Sequence, residues 1–174
     1  FTHPQAINLA ERIIELTPEN FKKVFFSDNG STANEVALKM SIQYWNNLKK
    51  PKERFIAFEG AYHGDTFGSM CLTARGGFNE PFERFMFDVD FIPRPNGKNN
   101  KEVISSFKKL IQKNNVSAFI FEPIVQGASG MNIYSSEVLS ELITIANKAN
   151  VITIADEVFT GFGRTGTWFA IDQL

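Results

Sequence analysis

Asp156 and Glu157 follow directly on the apolar run VITIA at residues 151–155. A carboxylate at the lip of a buried strand is costly unless a positive or hydrogen-bonding partner receives it. As neighbours on extended chain the two point to opposite sides. The pair therefore predicts one group for a ligand and one for the scaffold, not a shared acid couple. The glycine-rich stretch TGFGRTG follows, with Arg164 in it. Three more segments carry comparable chemistry. Gly30, Ser31 and Thr32 in SDNGST stand at a predicted helix start, where backbone N–H groups and the helix dipole suit an anion; Ser31 or Thr32 could equally serve as a plain cap. Tyr62, His63 and Asp65 in EGAYHGD offer a ring to stack on a flat ligand, an imidazole and a carboxylate. Tyr62 is equally readable as a rim of the core, and His63 as hydrogen-bonded scaffolding. Glu122 and Gln126 in EPIVQGASG either orient a ligand or bond loop backbone.

The elements around these segments are legible as an alternation. Residues 3–16 read as an amphipathic helix with Ile7, Ala10, Ile13 and Ile14 on one side. In the stretch 32–50, Ala33, Val36, Ala37, Met40, Tyr44 and Leu48 recur at helical spacing. Further helices are expected near 66–73, over 102–112 and over 136–149. Short apolar strands are expected at 23–27, 54–60, 86–92, 117–123 and 151–155. Apolar strands separated by helices predict an α/β fold, a mostly parallel sheet covered by helices on both faces. Ligands of such sheets bind beyond the carboxyl ends of the strands. The segments SDNGST, EGAYHGD, EPIVQGASG and DEVFTGFGRTG each follow a predicted strand, so all four are expected at one edge.

Composition excludes several classes. A net charge of −1 gives no electrostatic case for nucleic acid or an anionic membrane. One cysteine excludes an internal disulfide, and two histidines make a zinc site improbable. No apolar run is long enough to span a bilayer, and residues 1–16 do not read as a secretory leader. No GxxxxGK[ST] string accompanies the Asp-Glu strand, and no GxSxG elbow occurs. GFGRTG at 161–166 fits a dinucleotide-binding expression, but neither a following helix nor an acidic residue about twenty positions on supports it.

Taken together, FSDNGSTANEVALKM, AYHGDTFG, EPIVQGASGM and ADEVFTGFGRTG resemble the pyridoxal-phosphate-dependent aminotransferases of fold type I, class III. Within that class they look most like the branch that acts in biotin synthesis. The resemblance implies pyridoxal 5′-phosphate as cofactor and assigns roles. Asp156 would pair with the protonated pyridine nitrogen, and Gly30 and Ser31 would hold the phosphate. Tyr62 would stack on one ring face and Val158 would press on the other. His63, Glu122 and Gln126 would stand close around the cofactor, and Tyr62, Asp65 and Arg164 would meet the substrate. The implied reaction moves an amino group from S-adenosylmethionine to 8-amino-7-oxononanoate, giving 7,8-diaminononanoate. Another class III transaminase using ornithine, 4-aminobutyrate or a similar donor is the alternative, and a non-catalytic binding protein on the same fold is a second. A cytoplasmic homodimer is implied.

The chain departs from that pattern in one respect. The family's Schiff-base lysine lies beyond the Asp156 motif, whereas the last of the twelve lysines here, Lys148, precedes it. Residues 1–174 are therefore expected to be the central part of the cofactor-binding large domain. The amino-terminal segment, the lysine region and the carboxyl-terminal small domain are expected to lie outside it, and this stretch alone to be inactive in transamination.

Overall fold

Strand β1 (Arg54–Phe58) shows how the layers arise: Phe55 and Ala57 go to one face, Ile56 and Phe58 to the other, and all four are buried. Strand β3 (Val116–Phe121) repeats this with Ala118 and Ile120 against Phe119 and Phe121. Strands buried on both faces need cover on both, and the computed structural model, which describes residues 2–174, provides it. With β2 (Asp90–Ile92) and β6 (Ile152–Ala155) they form one parallel sheet in the order β2-β1-β3-β6. Helices α4 (Asn100–Ile111) and α5 (Ser136–Lys148) cover one face, where Val103, Phe107, Leu139 and Leu142 meet Phe58, Phe119 and Phe121. Each such side chain removed from water contributes about 1.5–3 kcal/mol. The opposite face is thinner, with Leu38 of α2 (Gly30–Asn47) and Leu72 of α3 (Phe67–Leu72) on Phe55, Ala57, Ala118 and Ile120. Helix α1 (Pro4–Leu16) has no fully buried residue. The doubly covered parallel sheet predicted from the alternation is the architecture found.

Three local expectations change. Residues 23–27 form no strand and pair with nothing in the sheet, and Phe25 and Phe26 are exposed. A strand exists only where a neighbour completes its ladder, which an apolar run cannot reveal. The Gly30 segment thus reaches the sheet edge because α2 packs there. The face of α2 marked by Met40, Tyr44 and Leu48 is also not the buried one, since all three are about half exposed. The buried stripe is Asn34, Leu38, Ser41 and Trp45. The helix is apolar on several sides, so periodicity fixes its existence and not its orientation. Trp45 anchors it by donating its indole N–H to the Ser117 carbonyl at 3.0 Å. Finally, the loop after β3 contains a small antiparallel hairpin, β4 (Val125–Gln126) with β5 (Asn132–Ile133), which the sequence did not announce.

Candidate active site

Strands β1, β3 and β6 end side by side, and the loops after them meet the amino terminus of α2 around a cleft of about 620 Å³. Its walls include Gly30, Ser31, Tyr62, His63, Asp65, Glu122, Asp156 and Val158.

Asp156 leaves the end of β6 as a buried carboxylate. Its Oδ2 accepts from His63 Nδ1 and from Asn34 Nδ2, both at 2.8 Å, and its Oδ1 accepts from the Val158 N–H at 3.2 Å. Burial pushes the carboxyl up, but the hydrogen bonds from His63, Asn34 and Val158 outweigh it and hold the group below the ordinary carboxylate value. Asp156 is therefore an ionised anion at neutral pH, set in the wall of the cleft. Its neighbour Glu157 turns the other way. It accepts from the Thr160 hydroxyl and from the N–H groups of Ala170 and Ile171 at 2.8–2.9 Å, fastening the glycine-rich loop to the closing 3-10 turn Ala170–Gln173. The two adjacent carboxylates thus divide between cleft and scaffold.

Asn29 caps α2: its side chain accepts from the Thr32 N–H at 3.0 Å, and Thr32 reciprocates with the Asn29 N–H. As the first residues of the helix, Gly30 and Ser31 have N–H groups without intrahelical acceptors, the usual arrangement for binding an anion. The Ser31 hydroxyl is paired with Thr66 Oγ1 at 2.8 Å and also accepts the Thr66 N–H at 3.0 Å. A Cβ at position 30 would meet the Val158 side chain, which would have to turn aside to admit it. Glycine is required at 64, where φ is +114° and a Cβ would collide with Ser31.

Tyr62 is 40% exposed and its hydroxyl donates to Asp65 at 2.8 Å, a bond that, with burial, raises the phenol above its usual value. Its ring is anchored from behind, since the Tyr62 N–H donates to Glu122 Oε1 at 3.1 Å while Glu122 Oε2 accepts from the Gly127 N–H at 2.8 Å. Burial drives Glu122 above the ordinary carboxylate value, and those two N–H groups only partly offset it. Glu122 therefore ties the loops after β1 and β3 together. Gln126 does similar work, donating to the Glu59 carbonyl at 3.1 Å, and does not line the cleft. Val158 stands in a turn past the end of β6, and its side chain is 73% exposed at the cleft. Arg164 is not among the lining residues; its guanidinium sits 5.7 Å from the Phe159 ring centroid.

Residues 1–174 match the family model described as Aminotransferase class-III. The chain belongs to the class-III aminotransferase family. It is 48% identical to an adenosylmethionine-8-amino-7-oxononanoate aminotransferase of Synechococcus elongatus, over 99% of this chain and 43% of that protein. It superposes with a TM-score of 0.92 on the crystal structure of an adenosylmethionine-8-amino-7-oxononanoate aminotransferase from Methanocaldococcus jannaschii, 32% identical, covering 99% of this chain and 39% of the other. An amine transaminase from an uncultivated Pseudomonas species in its PLP-bound form gives a TM-score of 0.90 at 28% identity, with 98% of this chain and 42% of that one covered. The chain thus spans less than half the length of these relatives.

Within this class-III segment, Asn34 and Thr66 are the site residues that motif reading misses. The available signal for Asn34 is a polar side chain at the head of the stripe Asn34, Leu38, Ser41, Trp45, a pattern visible once that face of α2 is known to be buried. Thr66 gives no sequence signal beyond its place between Asp65 and Phe67. No lysine lines the cleft among the described residues.

Proposed function

We propose that the full-length protein carrying this segment is a pyridoxal-phosphate-dependent transaminase that moves the amino group of S-adenosylmethionine to the ketone of 8-amino-7-oxononanoate. Residues 1–174 are the central part of its cofactor domain. The observation that carries the reading is Asp156, a buried anion with one oxygen saturated by His63 and Asn34 and the other only partly engaged. A protonated heterocyclic nitrogen is the partner such an oxygen fits. The substrates are those named for relatives up to 48% identical.

The chain's own residues fit that cofactor part by part. Asp156 would hold the pyridinium charge, and in a site of low dielectric that pairing counts for more than it would in water. Gly30 and Ser31 would bind the phosphate through their N–H groups and the positive end of the α2 dipole. Tyr62 would stack on one ring face and Val158 would close the other. His63 would hold Asp156 in its ionised form, and Glu122 would hold the loop that carries Tyr62. Asp65, already bonded to the Tyr62 hydroxyl, and Arg164 are assigned to substrate polar groups. When bound, pyridoxal phosphate supplies an electron sink for the bond broken at the amine carbon. The lysine that carries the cofactor comes from outside residues 1–174, a reading supported by the lack of any lysine among the cleft residues. A cytoplasmic homodimer belongs to the same proposal. No helix of the described residues is long and apolar enough to cross a membrane.

The test is steady-state turnover of the full-length protein with S-adenosylmethionine, compared with ornithine, 4-aminobutyrate and alanine as donors. Turnover with S-adenosylmethionine and 8-amino-7-oxononanoate is expected. Its absence alongside activity with another donor would defeat the substrate assignment and keep the class.

A further inference from the structure

The inference rests on the cofactor reading of Asp156 and adds a residue that neither the motifs nor the family resemblance assigned. We propose that Asn34 is a positioning residue that fixes the rotation of the Asp156 carboxylate, so that Oδ1 is the oxygen presented to the ligand. One nitrogen does this. Asn34 Nδ2 donates to Asp156 Oδ2 at 2.8 Å and to the His63 carbonyl at 2.9 Å, which uses both of its protons. The amide thereby joins three elements at one point: α2, the loop after β1 and the end of β6.

An aspartate needs such a restraint, because its terminal torsion is broad and nearly two-fold and no intrinsic preference distinguishes the two oxygens. Here they are made unequal. Oδ2 receives two short bonds, from His63 and Asn34, and Oδ1 receives one longer bond from the Val158 N–H. A carboxylate oxygen accepts about two hydrogen bonds, so Oδ2 is saturated and Oδ1 keeps a free lone pair. Without Asn34 the carboxylate would be held by one donor on each oxygen, which no longer distinguishes them. Helix formation does not explain an asparagine at this position, since its side chain competes with the backbone inside a helix. Burial does not favour it either, and Asn34 is 6% exposed. Its two partners account for both. The other titratable groups near the carboxylate are His63 and Glu122, and neither is replaced in the test.

The test uses the full-length protein with Asn34→Leu, and Asn34→Ala should the first variant fail to fold. In cofactor-free protein, the Asp156 carboxyl is titrated by 13C NMR with labelled aspartate, and its midpoint is expected to rise. With pyridoxal phosphate added, the dissociation constant is expected to increase about tenfold, the equivalent of one hydrogen bond to a charged group. The pH profile of the bound cofactor's visible absorbance is expected to move with it. A residue that only supported the fold would lower Tm and leave the carboxyl titration and the absorbance profile where they were. An unchanged Asp156 midpoint in a folded variant overturns the proposal. The parental protein's uptake of pyridoxal phosphate tests the cofactor reading separately, and the cofactor-free titration decides the role of Asn34 whichever way that uptake falls.

Discussion

His63 donates from Nδ1 to Asp156 Oδ2 across 2.8 Å, with the imidazole fully buried and the carboxylate nearly so. Without hydrogen-bonding partners, a carboxylate so buried would be driven toward its neutral form. It would then present an acid where the proposed cationic ring needs an anion. The loop after β1 therefore contributes more than a wall. Through His63 it sets the charge of a residue that arrives from β6, 93 positions later in the chain.

Asp156→Asn in the full-length protein is expected to keep some cofactor and lose most turnover, by about two to three orders of magnitude, the scale on which preorganised electrostatic contacts act. Turnover measured at saturating substrate checks it. Near-parental rates would remove Asp156 from the role given to it.

Tyr62→Ala is expected to weaken retention of pyridoxal phosphate several-fold, in keeping with about 0.5–1.5 kcal/mol for an aromatic contact beyond area burial. Equilibrium dialysis reads this directly. Unchanged retention would mean that the ring, already bonded to Asp65, does not cover the cofactor.

The pH dependence has a definite sign. Asp156 has a folded midpoint below its ordinary value, so its contribution is complete above that value and is lost as pH falls through the depressed midpoint. Glu122 runs the other way: its raised midpoint gives a contribution present below the ordinary value and lost as pH rises through the raised one. Cofactor retention is therefore expected to persist from neutral pH through the ordinary aspartate value, about 3.9, and to fail only as pH falls through the depressed midpoint. Dialysis across that range checks it, and retention lost near neutrality would contradict an ionised Asp156.

Much of this architecture is legible in the sequence. Strands β1, β3 and β6 are apolar runs that stop at polar residues, and a parallel sheet sends all such stops to one edge. What was not legible depended on distant partners. Residues 23–27 have strand composition and no neighbour to pair with among the described residues. Asn34 meets groups 29 and 122 positions away, so no local pattern could mark it. Val158 lies in a turn past the end of β6, and its place on the cleft wall depends on that turn, which an apolar run does not reveal. Glu157 was separable from Asp156 on stereochemistry alone, because neighbouring side chains on extended chain diverge.

Borohydride reduction of the full-length protein with bound pyridoxal phosphate, followed by peptide mapping, is expected to fix the cofactor on a lysine outside residues 1–174. A specific adduct on any of the twelve lysines in this segment would overturn that expectation.

Glu122→Ala is expected to lower Tm as well as cofactor retention, because the Tyr62 and Gly127 N–H groups would lose their shared acceptor. Each buried group left unpaired costs about 1–3 kcal/mol. Calorimetry on the cofactor-free protein checks it, and an unchanged Tm would mean that Glu122 does not brace the two loops.

The Gly30–Val158 contact makes two sites far apart in the gene behave as one unit of inheritance. A bulkier residue at 30 needs Val158 to turn aside or to shrink, and either change reshapes the wall of the cleft that the two residues share. Changes selected at 30 are therefore expected more often in company with changes at 158 than alone. Libraries that randomise both codons together would reach combinations that either codon alone leaves out.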